Sequence, residues 1–169
     1  MRAGKNFGIT PYGTEAMHVL RAEKGFIIVG QETDGTVTPY DLGMGWIVSD
    51  KKPDFIGKRA LARQSMGLGD RKQLVGLRTK DPKQIIPEGA HAVLDPNQPP
   101  PVDMLGHVTS SYFSPNLGHS IAMALLRGGH ARKGETVYFP MLDGKPPIEA
   151  TITDTNFYDP KGERLNGQH

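Results

Sequence analysis

The sequence predicts an α+β protein in which a small, partly helical segment precedes an antiparallel β-barrel. Two observations support this prediction. Apolar residues recur at helical spacing before residue 68, whereas short strand-like runs separated by turn residues follow from residue 73 onward. Because the pattern changes at 67–71, we expect one subdomain over residues 1–68 and a second, the barrel, over residues 69–169.

The stretch TPYGTEAMHVLRAEKGF, residues 10–26, predicts the first helix. Thr10 or Thr14 can cap its start, and Gly25 can end it. Spacings of three and four residues predict that its buried face consists of Tyr12, Ala16, Val19 and Leu20. Arg21 is expected at the border of this face, where its stem covers apolar surface while its head reaches water or a surface carboxylate, or alternatively a planar ligand in a cleft.

Three further segments complete the first subdomain. FIIVG (26–30) and MGWIVSD (44–50) predict strands, and the residues between them are polar and rich in turn formers. FIGKRALARQSMG (55–67) returns to helical spacing and is expected to end at Gly67.

The second subdomain is predicted as a series of short strands. Gly, Pro, Asn and Asp separate the runs QLVGLRT, HAVL, LGHVTSSYF, SIAMALLR, ETVYFPML and IEATITD, as is typical of antiparallel barrels or sandwiches. The Pro-rich segment LDPNQPPPVDM (94–104) is expected to form an exposed loop, because strand-like sequence resumes directly after it.

Composition narrows the functional classes. The 20 Lys and Arg and 18 Asp and Glu residues give a net charge of +2, which provides no support for nucleic-acid or membrane-surface binding. The chain contains no cysteine, so disulfides, thiolate metal sites and thiol nucleophiles are excluded. With no long apolar run and no secretion signal at its start, it is expected to be soluble and cytoplasmic. The opening MRAGKNFGITPYG resembles the end of a helix, so the chain is expected to be a piece of a longer protein.

No catalytic motif stands out, and the six histidines are too scattered to predict a metal site. Arg21 is the first candidate ligand residue, because a guanidinium can pair with or stack on a planar polar molecule. Glu32, Asp34 and Asp41 are candidates either for ligand groups or for loop acids that accept backbone hydrogen bonds, and the second interpretation is favoured. Trp46 is expected in the core, and Tyr112 precedes a tight turn that either lines a pocket or is purely structural.

The order of several segments resembles a known family. PYGTEAMHVLRAEKGF, VGQETDGTVTPYDLGMGWIV, FIGKRAL and GHVTSSYFSPNLGHSIAMALL are similar, in this order, to the second half of the aminomethyltransferase (T-protein) family of the glycine cleavage system. Within this superfamily the first two segments are most similar to the C-terminal portion of the alpha-subunit family of heterotetrameric sarcosine oxidases. Dimethylglycine dehydrogenase relatives are the nearest competitors.

The resemblance implies a tetrahydrofolate-binding module with three subdomains around a central channel. This chain is expected to hold the end of the module's second subdomain, residues 1–68, and the whole of its third subdomain, the barrel of residues 69–169. In sarcosine oxidases, oxidation of sarcosine at a flavin yields glycine, hydrogen peroxide and a one-carbon unit that leaves as 5,10-methylenetetrahydrofolate. FAD, FMN and NAD are expected elsewhere in the complex. The implied partners are the other sarcosine oxidase subunits and the missing N-terminal part of the same subunit.

The same resemblance implies folate-binding roles for Arg21, Glu23, Trp46 and Tyr112. Glu23 is expected either to orient Arg21 or to cap local backbone. The acidic residues of the family's chemistry lie upstream of the matching segment, so no catalytic residue is assigned and the isolated chain is expected to be inactive. A noncatalytic scaffold domain is the alternative. An oligonucleotide-binding barrel is disfavoured by the near-neutral charge.

Overall fold

The computed structural model describes residues 2–164 and 166–167, which form a small N-terminal region followed by a barrel. The two α-helices are α1 (Thr14–Glu23) and α2 (Lys58–Leu61). The six strands are β1 (Lys72–Thr79), β2 (His91–Ala92), β3 (Gly106–Ser114), β4 (His119–Arg127), β5 (Thr136–Phe139) and β6 (Ile148–Thr153). Four short 3-10 turns, at Lys5–Phe7, Gly45–Ile47, Gln64–Met66 and Gly129–Arg132, complete the regular structure of these residues.

The six strands form one antiparallel sheet in the order β2-β3-β4-β1-β6-β5. Its two edge strands approach each other, because Val93, next to β2, forms an antiparallel bridge with Tyr138 of β5. Each of these residues donates its backbone N–H to the carbonyl of the other at 2.9 Å. The sheet therefore closes nearly into a barrel, which confirms the predicted fold class.

Apolar side chains from every strand fill the barrel. Alternating residues of a strand point to opposite faces, so one set from each strand meets in the interior. The large, fully buried members are Leu77, Ile86, Leu126, Phe139, Ile148 and Ile152. A second, smaller cluster on the outer face joins Leu74, Ile121, Met123 and Leu125 to Ala22 of α1. Helix α1 therefore packs on the outside of β3 and β4.

The first helix is shorter than predicted, and its buried face is different. Its N-cap is Gly13, which provides no side-chain hydrogen bond, so neither Thr10 nor Thr14 caps the helix. Tyr12 precedes the helix and is 68% exposed, and Leu20 is 44% exposed. The buried residues are Arg21, Ala22 and Glu23, because only the last turn of α1 rests on the barrel.

The predicted end of this helix at Gly25 is confirmed. Gly25 adopts a φ of +70°, a conformation that side chains disfavour, and an added Cβ would lie 2.7 Å from the Thr155 carbonyl oxygen. The segment after β6 thus packs directly against the end of α1. There Phe157 and Tyr158 donate their backbone N–H groups to the Glu23 carbonyl, each at 2.9 Å.

Three predicted elements of the N-terminal region are wrong. Residues 26–30 contain only an isolated bridge from Val29 to Thr33, and residues 44–50 contain the 3-10 turn Gly45–Ile47. Residues 55–67 form the four-residue α2 and a 3-10 turn instead of one helix. A β-type run becomes a strand only when it pairs with a neighbour, and neither 26–30 nor 44–50 pairs with a strand of the sheet. None of the helices in the described ranges is long and apolar enough to cross a membrane.

Candidate functional site

Arg21 lies in the last turn of α1, facing β3, and is buried, with 9% of its surface exposed. Both terminal nitrogens of its guanidinium have protein partners. Nη1 donates to the Phe26 carbonyl at 3.2 Å and lies 3.1 Å from Glu32 Oε2. Nη2 donates to Ser110 Oγ at 2.5 Å and to Gln31 Oε1 at 3.4 Å. The predicted border position of Arg21 is therefore wrong, because the side chain is buried. Its head does reach a carboxylate, as one predicted alternative has it, but this carboxylate, that of Glu32, is buried instead of lying at the surface.

Glu32 is the counter-charge of Arg21. It is fully buried, in the loop that follows α1. One carboxylate oxygen accepts the backbone N–H of Ile28 at 2.7 Å and faces Arg21, and the other accepts the Ser110 hydroxyl at 2.5 Å. Burial of an ion pair is tolerated where further hydrogen bonds satisfy both ions, as they do here. Glu32 accepts backbone donors as predicted, but its pairing with Arg21 was not predicted.

Two aromatic rings lie beside the guanidinium. Arg21 Cζ lies 5.9 Å from the ring centroid of the half-buried Tyr112, within the range of a cation–π interaction. The ring of His18, one turn before Arg21 on α1, stacks on Tyr112 with centroids 6.5 Å apart and planes inclined by 23°. We call Arg21, Glu32, Ser110, Gln31, Tyr112 and His18 the Arg21 cluster.

Two nitrogen atoms of the Arg21 cluster have no hydrogen-bond partner among the described residues. They are Arg21 Nε and His18 Nδ1, and both are hidden from solvent. Buried polar atoms in folded proteins are nearly always paired, so unpaired ones mark strain or a missing partner. The cluster thus combines a planar cation, two aromatic rings and unsatisfied polar atoms, which are groups that can stack on or pair with a planar polar ring.

Glu23 is buried on the other side of α1 and does not orient Arg21. Its carboxylate accepts the Ser114 hydroxyl at 2.6 Å and the Asn116 amide at 2.9 Å, both from the β3–β4 hairpin. Together with the two backbone donors at its carbonyl, these contacts hold the end of α1 on the barrel. Neither of the two predicted roles matches these contacts, because both partners of the carboxylate are side chains, 91 and 93 residues away along the chain.

Trp46 and Tyr112 occupy different environments. Trp46 lies in the 3-10 turn Gly45–Ile47 and is 81% exposed, so the prediction that it is a core residue is wrong. Tyr112 lies within β3, and the hairpin predicted to follow it is present as the turn between β3 and β4. The structure thus brings Arg21 and Tyr112 together, while Glu23 and Trp46 belong to other surroundings.

Asp34 and Asp41 have the structural roles predicted for them. A hydrogen bond from the Thr36 hydroxyl holds the pKa of the exposed Asp34 below its ordinary value. Burial raises the pKa of Asp41, but hydrogen bonds from Arg71 and Thr38 outweigh this effect, so the pKa lies below its ordinary value. Arg71 donates to both oxygens of Asp41, at 2.6–3.1 Å, and so connects the loop to the residue that precedes β1.

Sequence reasoning did not identify His18, Gln31 or Ser110 as members of the site. His18 precedes Arg21 by three residues, a spacing that places both on one side of a helix, and this spacing could have identified it. Ser110 is 89 residues away from Arg21 and gives no local signal of their contact. Within the described ranges, no three His, Asp or Glu side chains form a metal-binding group.

Comparison with known proteins identifies the family. The family model "Glycine cleavage T-protein C-terminal barrel domain" matches residues 72–159, which include all six strands. The chain belongs to the glycine cleavage T-protein family. A second model of this family, "GCVT N-terminal domain", matches residues 1–52, where Arg21 and Glu32 lie.

The individual proteins that are similar to this chain support the same family assignment. It is 48% identical over 167 residues to the sarcosine oxidase subunit alpha of Corynebacterium sp. (strain P-1), and 42% identical over 174 residues to that of Rhizobium meliloti (strain 1021). Each match covers 98% of the chain and 17% of the relative. The aminomethyltransferase of Caldanaerobacter subterraneus subsp. tengcongensis is 35% identical, over 94% of the chain and 40% of the relative.

A solved structure shares the fold of this T-protein family chain. The crystal structure of glycine cleavage system aminomethyltransferase T from Bartonella henselae superposes with a TM-score of 0.70 at 26% identity. The match covers 85% of the chain and 38% of the solved chain. These findings confirm the resemblance that the sequence predicted, both to the T-protein family and to sarcosine oxidase alpha subunits. The chain spans 17% of the length of the alpha subunits it matches.

Proposed function

We propose that the chain contributes a tetrahydrofolate-binding module to a sarcosine oxidase. In this proposal sarcosine is oxidised at a flavin elsewhere in a cytoplasmic assembly, and tetrahydrofolate accepts the one-carbon unit. Molecular oxygen reoxidises the flavin and is reduced to hydrogen peroxide, and the other products are glycine and 5,10-methylenetetrahydrofolate. The 48% identity to a sarcosine oxidase subunit alpha supports this choice over an aminomethyltransferase, to which identity is 35%.

The observation that supports a folate site most directly is the Arg21 cluster. A pterin is a planar heterocycle with polar edges, and the cluster offers a planar cation flanked by the rings of Tyr112 and His18. The unpaired Arg21 Nε and His18 Nδ1 fit a site completed by a polar partner. The residues present therefore fit the group that the family implies.

Within this proposal the residues have different roles. Arg21 and Tyr112 provide the surface against which the pterin packs. Glu23 holds the end of α1 on the barrel and so fixes where Arg21 stands. We propose that Trp46, an exposed ring outside the Arg21 cluster, contacts the folate away from its pterin ring. Bound tetrahydrofolate supplies the nitrogen atoms that accept the one-carbon unit.

The proposal assigns the remaining parts of the reaction to other regions. We propose that FAD, FMN and NAD bind elsewhere in the assembly, and that the partners of this chain are other sarcosine oxidase subunits and the preceding part of the alpha subunit. The chain alone is then expected to form no peroxide from sarcosine. Peroxide formation by the purified chain above a buffer control would contradict this assignment.

The experiment that tests the function uses the assembled enzyme and measures the fate of the one-carbon unit. Arg21→Lys should leave sarcosine oxidation and peroxide formation unchanged, because the flavin lies elsewhere. It should shift the product from methylenetetrahydrofolate to free formaldehyde, because tetrahydrofolate binds less tightly. The control is Arg78→Lys, at an exposed position on β1, which should leave both products unchanged. An unchanged product ratio in a folded Arg21→Lys enzyme would overturn the proposal in favour of a noncatalytic scaffold.

A further inference from the structure

A β-bulge in β3 lies directly beside the Arg21 cluster. Along the β3–β4 ladder Val108 pairs with Ala124, but the next pair joins Ser110 to Met123, so Thr109 is an extra residue without a partner. Bulges change the direction in which the following side chains point, and they are common next to functional sites. This bulge determines which side of β3 Ser110 faces.

Two hydrogen-bonding groups of the extra residue, its hydroxyl and its backbone carbonyl, have partners. The Thr109 hydroxyl donates to the Met123 carbonyl on β4 at 3.1 Å. The Thr109 carbonyl accepts the side-chain amide of Gln31 at 2.8 Å. Gln31 also contacts Arg21, so the bulge is connected to the cluster by two routes, one through Gln31 and one through Ser110. A bulge with paired polar groups is a stable feature of the fold.

Ser110 connects the two charges of the cluster. Its hydroxyl accepts from Arg21 Nη2 and donates to Glu32 Oε1, both at 2.5 Å. Since Glu32 also faces Nη1, the three side chains form a closed ring that fixes the plane of the guanidinium. Ser110 is fully buried and therefore acts on a ligand only through Arg21.

We propose that Ser110 is a positioning residue, which the bulge at Thr109 places so that the Arg21 guanidinium is held in the orientation that selects a pterin ring. This inference rests on the proposed function. It adds that selectivity for the pterin, as opposed to the rest of the folate, is set by a buried hydroxyl in the barrel. Directional hydrogen bonds to a charged group are suited to this role, because they restrict its rotation as well as stabilise it.

The test measures, in the same variants, the affinity for two ligands and the hydrogen exchange of the Arg21 guanidinium. Calorimetry of Ser110→Ala should show tetrahydrofolate affinity lowered by about ten- to a hundredfold, the range expected for a lost hydrogen bond to a charged group. Affinity for p-aminobenzoylglutamate, which lacks the pterin, should not change. In NMR, hydrogen exchange of the Arg21 guanidinium should accelerate by about tenfold or more.

The matched control is Thr79→Val, which removes a buried hydroxyl that donates to the Asp81 carbonyl at 2.8 Å and lies outside the cluster. Thr79→Val loses a similar hydrogen bond, but neither the tetrahydrofolate affinity nor the hydrogen exchange of Arg21 should change. If Ser110→Ala does not fold, Ser110→Cys, which keeps the shape and weakens both hydrogen bonds, answers the same question with smaller effects.

Unchanged exchange at Arg21 together with unchanged tetrahydrofolate affinity in a folded Ser110 variant would overturn the inference. Equal losses of affinity for tetrahydrofolate and p-aminobenzoylglutamate would also overturn it, because the effect would not concern the pterin. If the unmodified protein binds neither compound, the proposed function fails instead. The NMR measurement then still shows whether Ser110 orients Arg21.

Discussion

The N-terminal region, residues 2–71, and the barrel strands are stabilised by different interactions. In the barrel most buried side chains are apolar, and the buried polar ones carry only hydroxyls. In the N-terminal region Ala22 is the one apolar side chain described as buried, whereas Arg21, Glu23, Glu32 and Asp41 are buried charges. The barrel is therefore organised by apolar burial, and the N-terminal region by directional polar contacts.

This difference explains where the candidate site lies. A region without an apolar core is positioned by the few residues that contact the barrel. Arg21 and Glu32 do so through Ser110 and Glu23 does so through Ser114. Asp41 does so through its backbone carbonyl, which accepts the Leu74 N–H at 2.7 Å. The Arg21 cluster forms at this boundary, where charges of one region meet hydroxyls of the other. A substitution of one polar atom should consequently affect the N-terminal region strongly, while the barrel should respond mainly to lost volume.

The largest expected effect is a loss of volume in the barrel core. Leu77 is fully buried in β1, and Leu77→Ala should lower the free energy of unfolding by about 2–5 kcal/mol. Leu20→Ala, the same change in the N-terminal region where Leu20 is 44% exposed, should cost less than about 1 kcal/mol. Urea denaturation of both variants measures the contrast. Equal losses would mean that the two regions do not differ as described.

The second-largest effect is expected for removal of the counter-charge in the Arg21 cluster. Glu32→Gln keeps the shape but leaves the Arg21 guanidinium buried without an opposite charge, and breaking a buried pair in this way typically costs about 3–5 kcal/mol. Because the introduced amide still forms some of the hydrogen bonds, we expect a loss at the lower end of this range, about 3 kcal/mol. The exposed Glu88→Gln is the control, with an expected change below about 0.5 kcal/mol. A loss for Glu32→Gln as small as the control would show that the buried charges do not position the region.

Asp41→Asn should give a smaller, pH-dependent loss. Hydrogen bonds to charged groups contribute about 1.5–3 kcal/mol each, and the half-buried Arg71 keeps some access to water. Because the pKa of Asp41 is lowered in the folded protein, its stabilising contribution is fully present above the unfolded value of about 4. It is lost as the pH falls through the lower, folded value.

Urea denaturation of wild type and Asp41→Asn between neutral pH and acid measures this dependence. The difference in stability between the two proteins should be constant above about pH 4 and shrink below it. A difference that grows on acidification would contradict the assignment.

The smallest effect is expected on the barrel surface. Lys80 and Glu149 form an ion pair at 2.8 Å, with 72% and 33% of their side chains exposed. Lys80→Gln should therefore change the free energy of unfolding by less than about 1 kcal/mol, as is usual for exposed pairs. A thermal melt at low and high salt measures it, and a loss as large as that of Glu32→Gln would remove the contrast between buried and surface charges.

The sequence predicts the barrel better than the N-terminal region for a physical reason. The runs QLVGLRT and SIAMALLR are β-type segments bounded by turn residues, and they pair along their length as β1 and β4. FIIVG and MGWIVSD have similar composition, yet their residues find no strand to pair with. Local composition identifies a possible strand, but pairing decides whether it forms.

The burial of Arg21 could not be predicted from local sequence. Its partners Glu32 and Ser110 lie 11 and 89 residues away, and the contact with Ser110 depends on a bulge that the sequence of β3 does not indicate. The family resemblance nevertheless selected Arg21 and Tyr112, which the fold brings together. The boundary at residues 68 and 69 stays a prediction, which limited proteolysis within 67–71 would test.

The central claim is that the Arg21 cluster binds the pterin of a folate, and calorimetric titration of tetrahydrofolate into the protein tests it most directly. Arg21→Lys keeps the charge but loses the planar donors, so the dissociation constant should rise by roughly ten- to a hundredfold. The exposed Arg78→Lys should bind like the wild type. A folded Arg21→Lys protein with a lower melting temperature and an unchanged dissociation constant would contradict the account, because Arg21 would then be a structural residue alone.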